Sequence, residues 1–251
     1  MAGLDRIWRG AIAGLSLALL AGAASAQAGR PIERKLLVAS FENIVVIGDI
    51  SVTVQTGKSP SAIASGDKRV LESLKLERVG TTLRVRLQDV VNNTKGVPIT
   101  APLRVSLTTQ DIKDITLSGN GNLTVSEVKQ QDLVRLLIAG NGSVNIARLV
   151  TDQFSAQING NGKIELGGGM VRDGRVAING AGGFEGAKVQ LRKLRLEHNG
   201  NAVSTATVEE QTEIFNEGLG NISIGGKGTC FIKKAGGTAI NCAKIDTGGK
   251  K

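Results

Sequence analysis

Few residues in this chain have the type and spacing to do chemistry. Glu165 and Glu185 recur at an interval of 20, and paired carboxylates of this kind do general acid and base work when one cleft holds both. Lys163 and Lys188 are close enough in sequence to neutralise them. Asp132, Asp152 and Asp173 recur at about the same offset, with Arg172, Arg175 and Arg192 nearby. Exposed carboxylates on successive repeats can share a calcium ion, but Asp is a common turn residue and the glycine-rich calcium nonapeptide pattern is missing. His198 is the only His. It occupies a position held elsewhere by Leu117, Ile138, Ile158 and Ile178, so it reads as a buried, hydrogen-bonded side chain rather than the base of a Ser-His-Asp triad. Cys230 and Cys242 are too few, with one distant His, to hold a metal. They flank a turn-like stretch, 233–238, and read as a disulfide across a hairpin in an oxidising compartment.

Asparagine is the most regular polar residue. Asn120, Asn141, Asn161 and Asn201 fall at equivalent positions, with Ala181 interrupting them, and Asn159, Asn179 and Asn199 form a second series at intervals of 20. Asn side chains stacked in this way exchange amide hydrogen bonds from layer to layer. That structural reading comes first, and recognition of sugar hydroxyls comes second. No catalytic residue, cofactor-binding residue or metal ligand is assigned.

The elements that must position these residues follow from an internal repeat. Gly119, Gly140, Gly160, Gly180, Gly200 and Gly218 each open a Gly-x-Gly or Gly-x-Ala corner, with spacings of 21, 20, 20, 20 and 18. Apolar residues alternate before each corner, as in Ile115/Leu117 and Val176/Ile178, and alternate again after it, as in Leu123/Val125 and Ile164/Leu166. A period of two means strands, and Gly followed by Asn suits a sharp corner. Hairpins would also use Asn-Gly, but here whole strands recur with the corners. About 20 residues suit one coil of a β-solenoid. The predicted fold is therefore all-β: a single-stranded solenoid, resembling a right-handed parallel β-helix by the crossover rule, with coils about 4.8 Å apart.

Four segments are expected. Residues 1–26 read as a secretory signal, with Arg6 and Arg9 before an apolar core and Ala24-Ser25-Ala26 at the cleavage site. The apolar run is shorter than a membrane-spanning helix, so no transmembrane anchor is expected after cleavage. Residues 27–110 supply less regular strands that begin and cap the solenoid. They include alternating segments about Gly48-Asp49, a short helix capped by Asp67, strands near 76–79, 83–87 and 103–107, and an irregular loop at 92–100. Residues 111–225 hold the regular coils, and residues 226–251 the Cys hairpin and a tail.

Composition narrows the function. Hydrophobic residues at 41% permit a folded core. The formal charge of +9 invites nucleic acid, but the basic residues are scattered, stacking aromatics are scarce, and export removes the chain from nucleic acid. Anionic envelope polymers suit an exported basic surface better.

The order Phe41-Glu42-Asn43-Ile44, Gly48-Asp49-Ile50-Ser51-Val52, Ser65-Gly66-Asp67, Thr82-Leu83-Arg84-Val85, Ala101-Pro102-Leu103 and the repeated Leu117-Ser118-Gly119-Asn120-Gly121 resembles the putative autotransporter adhesin head GIN domain family over roughly residues 36–225. The resemblance implies an exported bacterial β-solenoid, with adhesion suggested by the family name. Nothing after residue 225 has the repeated strands of an autotransporter barrel, so self-translocation is not expected. The function read from the sequence is an exported, non-enzymatic envelope or surface module. Its expected partner is an envelope polysaccharide, lipopolysaccharide or a surface protein, in the periplasm or at the cell surface. The alternatives are a polysaccharide-active β-helix enzyme, or a periplasmic spacer or sensor module without its own ligand.

Overall fold

A computed structural model describes residues 31–88, 101–237 and 239–246. The signal segment and the loop at 92–100 lie outside the described residues. Of the described residues 70% are strand, wound into a β-solenoid of about 6 turns with coils roughly 20 residues apart. Strands β1 (Ile32–Leu36), β2 (Asn43–Ile47), β3 (Ser51–Gln55) and β4 (Ser61–Gly66) precede helix α1 (Lys68–Ser73). Next come β5 (Leu74–Val79), β6 (Thr82–Leu87), β7 (Arg104–Thr108), β8 (Asp114–Gly119) and β9 (Asn122–Val125). The regular coils comprise β10 (Val128–Gly140), β11 (Ser143–Ile146), β12 (Leu149–Gly160), β13 (Lys163–Leu166), β14 (Gly169–Asn179), β15 (Gly183–Asn199), β16 (Val203–Asn216), β17 (Ile222–Lys234) and β18 (Ile240–Asp246).

Parallel pairing from coil to coil puts like residues on top of one another. One interior stack runs Ile44, Ile115, Leu136, Ala156, Val176, Leu196, Ile214, and beside it stand Val46, Leu117, Ile138, Ile158, Ile178 and His198. On the facing sheet Val52, Leu123, Val144, Ile164 and Phe184 form the opposite stack. All of these side chains are buried, so the alternation seen in the sequence is the inside and outside of one tube. The corner glycines stack too, and their positive φ values, such as +124° at Gly140, turn the chain between the two sheets.

The solenoid starts earlier than the repeat suggests. Parallel strands β2 and β3 lie directly on β8 and β9, with Gly48 under Gly119. On their other side they pair in parallel with β6 and β7, which come later in the chain. Antiparallel strands then lie outermost, β5 on β6 and β4 on β7, with β1 on β4. Glu33, Arg34 and Lys35 on β1, and Lys75, Glu77 and Arg78 on β5, are largely exposed. Charges on an outermost strand discourage pairing with other chains. Helix α1 forms where the Asp67 carboxylate accepts the Arg69 backbone N–H and pairs with its guanidinium at 2.8 Å.

The C-terminal hairpin is corrected by the structure. Strand β18 runs parallel to β17, with Asn241 beside Ser223 and Cys242 beside Ile224, so this segment adds a further coil. Gly236-Gly237 has the residues of a reversal, but Gly236 sits over Gly218 in the corner column. The disulfide itself is present between Cys230 and Cys242, with Cα atoms 6.4 Å apart. It ties a buried sulfur inside the coil to the last strand. Closing this short loop restricts the unfolded chain, so Cys242→Ser is expected to cost roughly 2 kcal/mol locally. Hydrogen exchange should show faster amide exchange in residues 240–246 than in residues 149–160.

Candidate functional site

The regular coils carry several polar features on their outer surface and one buried pair, and they differ in how fully their groups are already used. At the corner, the amide of Asn141 donates to Asn120 at 3.0 Å and accepts from Asn161 at 3.0 Å. Ala181 has no amide to continue this ladder, and Asn201 stands beyond the gap. In the second series Asn179 donates to Asn159 at 3.0 Å, and Asn199 to Asn179 at 2.9 Å. The Asn159 carbonyl also accepts from Gln157 at 3.1 Å. These amides hydrogen-bond one another along the axis and tie adjacent corners together.

Glu165 and Glu185 stand side by side in register on the outer face of a sheet. Lys163 reaches Glu185 at 2.8 Å, and that hydrogen bond holds the Lys163 ammonium above its usual pKa range. The recess around the pair is shallow, about 90 Å³. On the neighbouring sheet Arg195 and Arg175 meet Glu197 at 2.7 and 3.0 Å. The bond from Arg195 is the main reason the Glu197 carboxyl lies below its ordinary range.

His198 is fully buried, and its Nε2 lies 2.8 Å from Ser204 Oγ. The stack positions they occupy are apolar in the preceding coils, Ile178 beneath His198 and Phe184 beneath Ser204. Both residues change together, and the hydroxyl satisfies one ring nitrogen. Burial lowers the imidazole pKa to about 4, which leaves the ring neutral at ordinary pH.

The third side of the coil carries a groove of about 860 Å³. Short segments at the starts of β10, β12, β14 and the middle of β15 build it, pairing Lys129 with Val150, Val150 with Met170, and Met170 with Gln190. Lys129, Val150 and Met170 of this outward row form the floor, and Met170 is 60% exposed. The chain bends after it at a register shift between Gln130 and Leu133, lifting the next residues into a wall. That wall reads Asp132, Asp152, Arg172, Arg192 along the axis. Arg172 meets Asp152 at 3.3 Å and Asp173 at 3.0 Å, while Arg192 pairs with Glu210, which raises its pKa further.

The expected acidic column therefore needs correction. Asp132 and Asp152 share the groove wall, but Asp173 registers with Gln153 and Lys193, one residue further along, and Arg172 takes its place. The coil advances by 20 residues here, as from Gln153 to Asp173, whereas Asp173 lies 21 residues after Asp152. Among the described residues no group of three or more His, Cys, Asp or Glu side chains is placed to hold a metal ion. The floor row was not singled out from the sequence. Its signal was an exposed Met in a segment whose other alternate residues are polar or small.

The fold and groove define a class: parallel β-solenoids whose outer sides are repetitive and whose surface is shaped for extended contact rather than deep enclosure. A family model described as putative auto-transporter adhesin, head GIN domain, matches residues 40–228, and the chain belongs to this family. A putative adhesin from Bacteroides fragilis is similar at 17% identity and TM-score 0.62, over 86% of this chain and 94% of that one. A putative adhesin from Parabacteroides merdae is similar at 17% identity and TM-score 0.61, over 85% and 96%. A putative lipid binding protein from Parabacteroides distasonis is similar at 16% identity and TM-score 0.60, over 86% and 96%. At these identities the likeness is one of fold. No match was found among curated proteins. No helix among the described residues is long and apolar enough to cross a membrane.

Proposed function

We propose that this protein is an exported, non-enzymatic surface module that attaches to an extended envelope component through one side of its solenoid. The observation that carries this reading is the groove on the third side, which crosses successive coils and is open along its length. Ligands that are transformed are usually enclosed in a pocket; a partner that is merely held can lie along an open surface. The adhesin names of the family and of two similar structures support attachment, and the secretory signal read at residues 1–26 supports export. Glu165 and Glu185 are each about half exposed or paired on an open face, an arrangement that suits solubility better than proton transfer.

Cosedimentation of residues 27–251 with purified cell envelopes tests this. Saturable binding that persists as salt is raised is expected. Nonspecific attraction of so basic a chain would fade with screening. Binding that vanishes with salt, or release of reducing sugar from the envelopes, would defeat the proposal.

A further inference from the structure

The groove on the third side also restricts what can lie in it. Its floor is the face of a sheet whose backbone groups pair from β10 to β12, β14 and β15. A peptide that binds by adding a strand needs an open edge, and the floor has none. An acyl chain needs a continuous apolar lining. Here the charged side chains of Lys129, Asp132, Asp152 and Arg172 interrupt the apolar Val150 and Met170. Recognition must therefore come from side chains that combine small apolar patches with hydrogen-bonding groups.

Charge decides among such ligands. Three carboxylates, of Asp111, Asp132 and Asp152, face three cations, of Lys129, Arg172 and Arg192. The acids lie toward the first coils of the groove and the arginines toward the later ones. With acids and bases mixed and partly paired along it, the groove offers a regularly charged polymer of either sign no continuous complementary surface. An uncharged sugar chain offers hydroxyls that donate to carboxylates and accept from guanidinium groups, and its C–H faces can pack on Val150 and Met170. The wall also repeats once per coil, about 4.8 Å, close to the advance of one ring in an extended glycan.

We propose that this groove binds an extended, uncharged polysaccharide laid along the solenoid axis, with successive rings meeting successive coils. This rests on the reading of the protein as a surface-attachment module and names the ligand class of that same groove. The test presents residues 27–251 to an array of neutral linear oligosaccharides of varied linkage, one to six rings long, beside an oligogalacturonate series. Hits are then titrated by calorimetry. Affinity for a neutral series should rise about tenfold between two and four rings, then level off, with little salt dependence. Met170→Glu and the pair Asp132→Ala with Asp152→Ala should each weaken it about tenfold or more. These residues are largely exposed, so melting temperatures should stay unchanged. Thr124→Ala, on another face, should leave affinity as it is.

Binding of oligogalacturonate alone, binding that does not grow with length, binding that the groove variants do not weaken, or no binding across the array would each overturn the assignment. If envelope cosedimentation stays salt-resistant while the array fails, the glycan assignment falls and the surface module stands. Loss of both overturns both.

Discussion

Replacing Gly160 with Ala is expected to lower stability by about 4 kcal/mol or more, enough to unfold much of the protein at moderate temperature. Two costs add. Gly160 has φ of +125°, a conformation that a side chain makes strained. A Cβ placed there would also lie 2.5 Å from the Gly140 carbonyl oxygen and 3.1 Å from its carbon. The clash is with backbone one coil away, so no rotamer can relieve it. The coils must separate at that corner, and separation breaks the pairing of Asn159 with Ala139 and weakens the Asn161 to Asn141 hydrogen bond beside it. Urea unfolding of Gly160→Ala against Gly183→Ala gives the comparison, since a Cβ at Gly183 would meet only ordinary contacts beginning at 3.6 Å. Equal midpoints for the two variants would refute this account of the corner.

Acid should destabilise the protein before its carboxylates are titrated, because of His198. In the unfolded chain the imidazole takes up a proton near 6.5, whereas in the folded protein burial holds its pKa at about 4. Between these values the unfolded state binds more protons. Stability therefore rises with pH across this window, is lost as pH falls from about 6.5 to about 4, and is unaffected by this residue above it. The full span is worth roughly 3 kcal/mol. Carboxylates such as Glu77 and Glu197, held below their usual range mainly by hydrogen bonds from Arg86 and Arg195, add their own loss only at lower pH. Unfolding free energies measured from pH 7 to 5 should slope in the native protein and flatten in the double variant His198→Ile with Ser204→Val. The double change restores the apolar pair of the coil below and leaves no orphaned hydroxyl. A slope that survives in the double variant would assign the acid sensitivity elsewhere.

The corner glycines and the alternating flanks made the coil, its period and its interior legible, because every coil obeys the same constraint at the same interval. Ile138, Ile158 and Ile178 could be placed in one stack before any geometry was known, and His198 could be read as a core residue for that reason. What was hidden depends on departures from the period. Gly48 belongs to the corner column but lies far upstream of Gly119, so no interval reveals it. Asp173 lies 21 residues after Asp152 where the coil advances by 20, so it leaves the acidic column that Asp132 and Asp152 share. The Gly236-Gly237 turn has the composition of a hairpin, yet parallel pairing of β17 with β18 is required to cover the end of the stack. The groove floor was hardest to see, since Lys129, Val150 and Met170 have no chemistry in common, only a shared place.

The layer formed by β2 and β3 lies between β6 and β7 on one side and β8 and β9 on the other. Every later coil needs only the coil before it. A chain emerging N-terminus first therefore makes two strands that cannot be sandwiched until residues as far as Val125 have followed. Long-range closure of this kind is slow relative to contacts between neighbouring coils. The early segment lacks its partner strands through that interval. The rod then grows by local addition once its first layer has been enclosed.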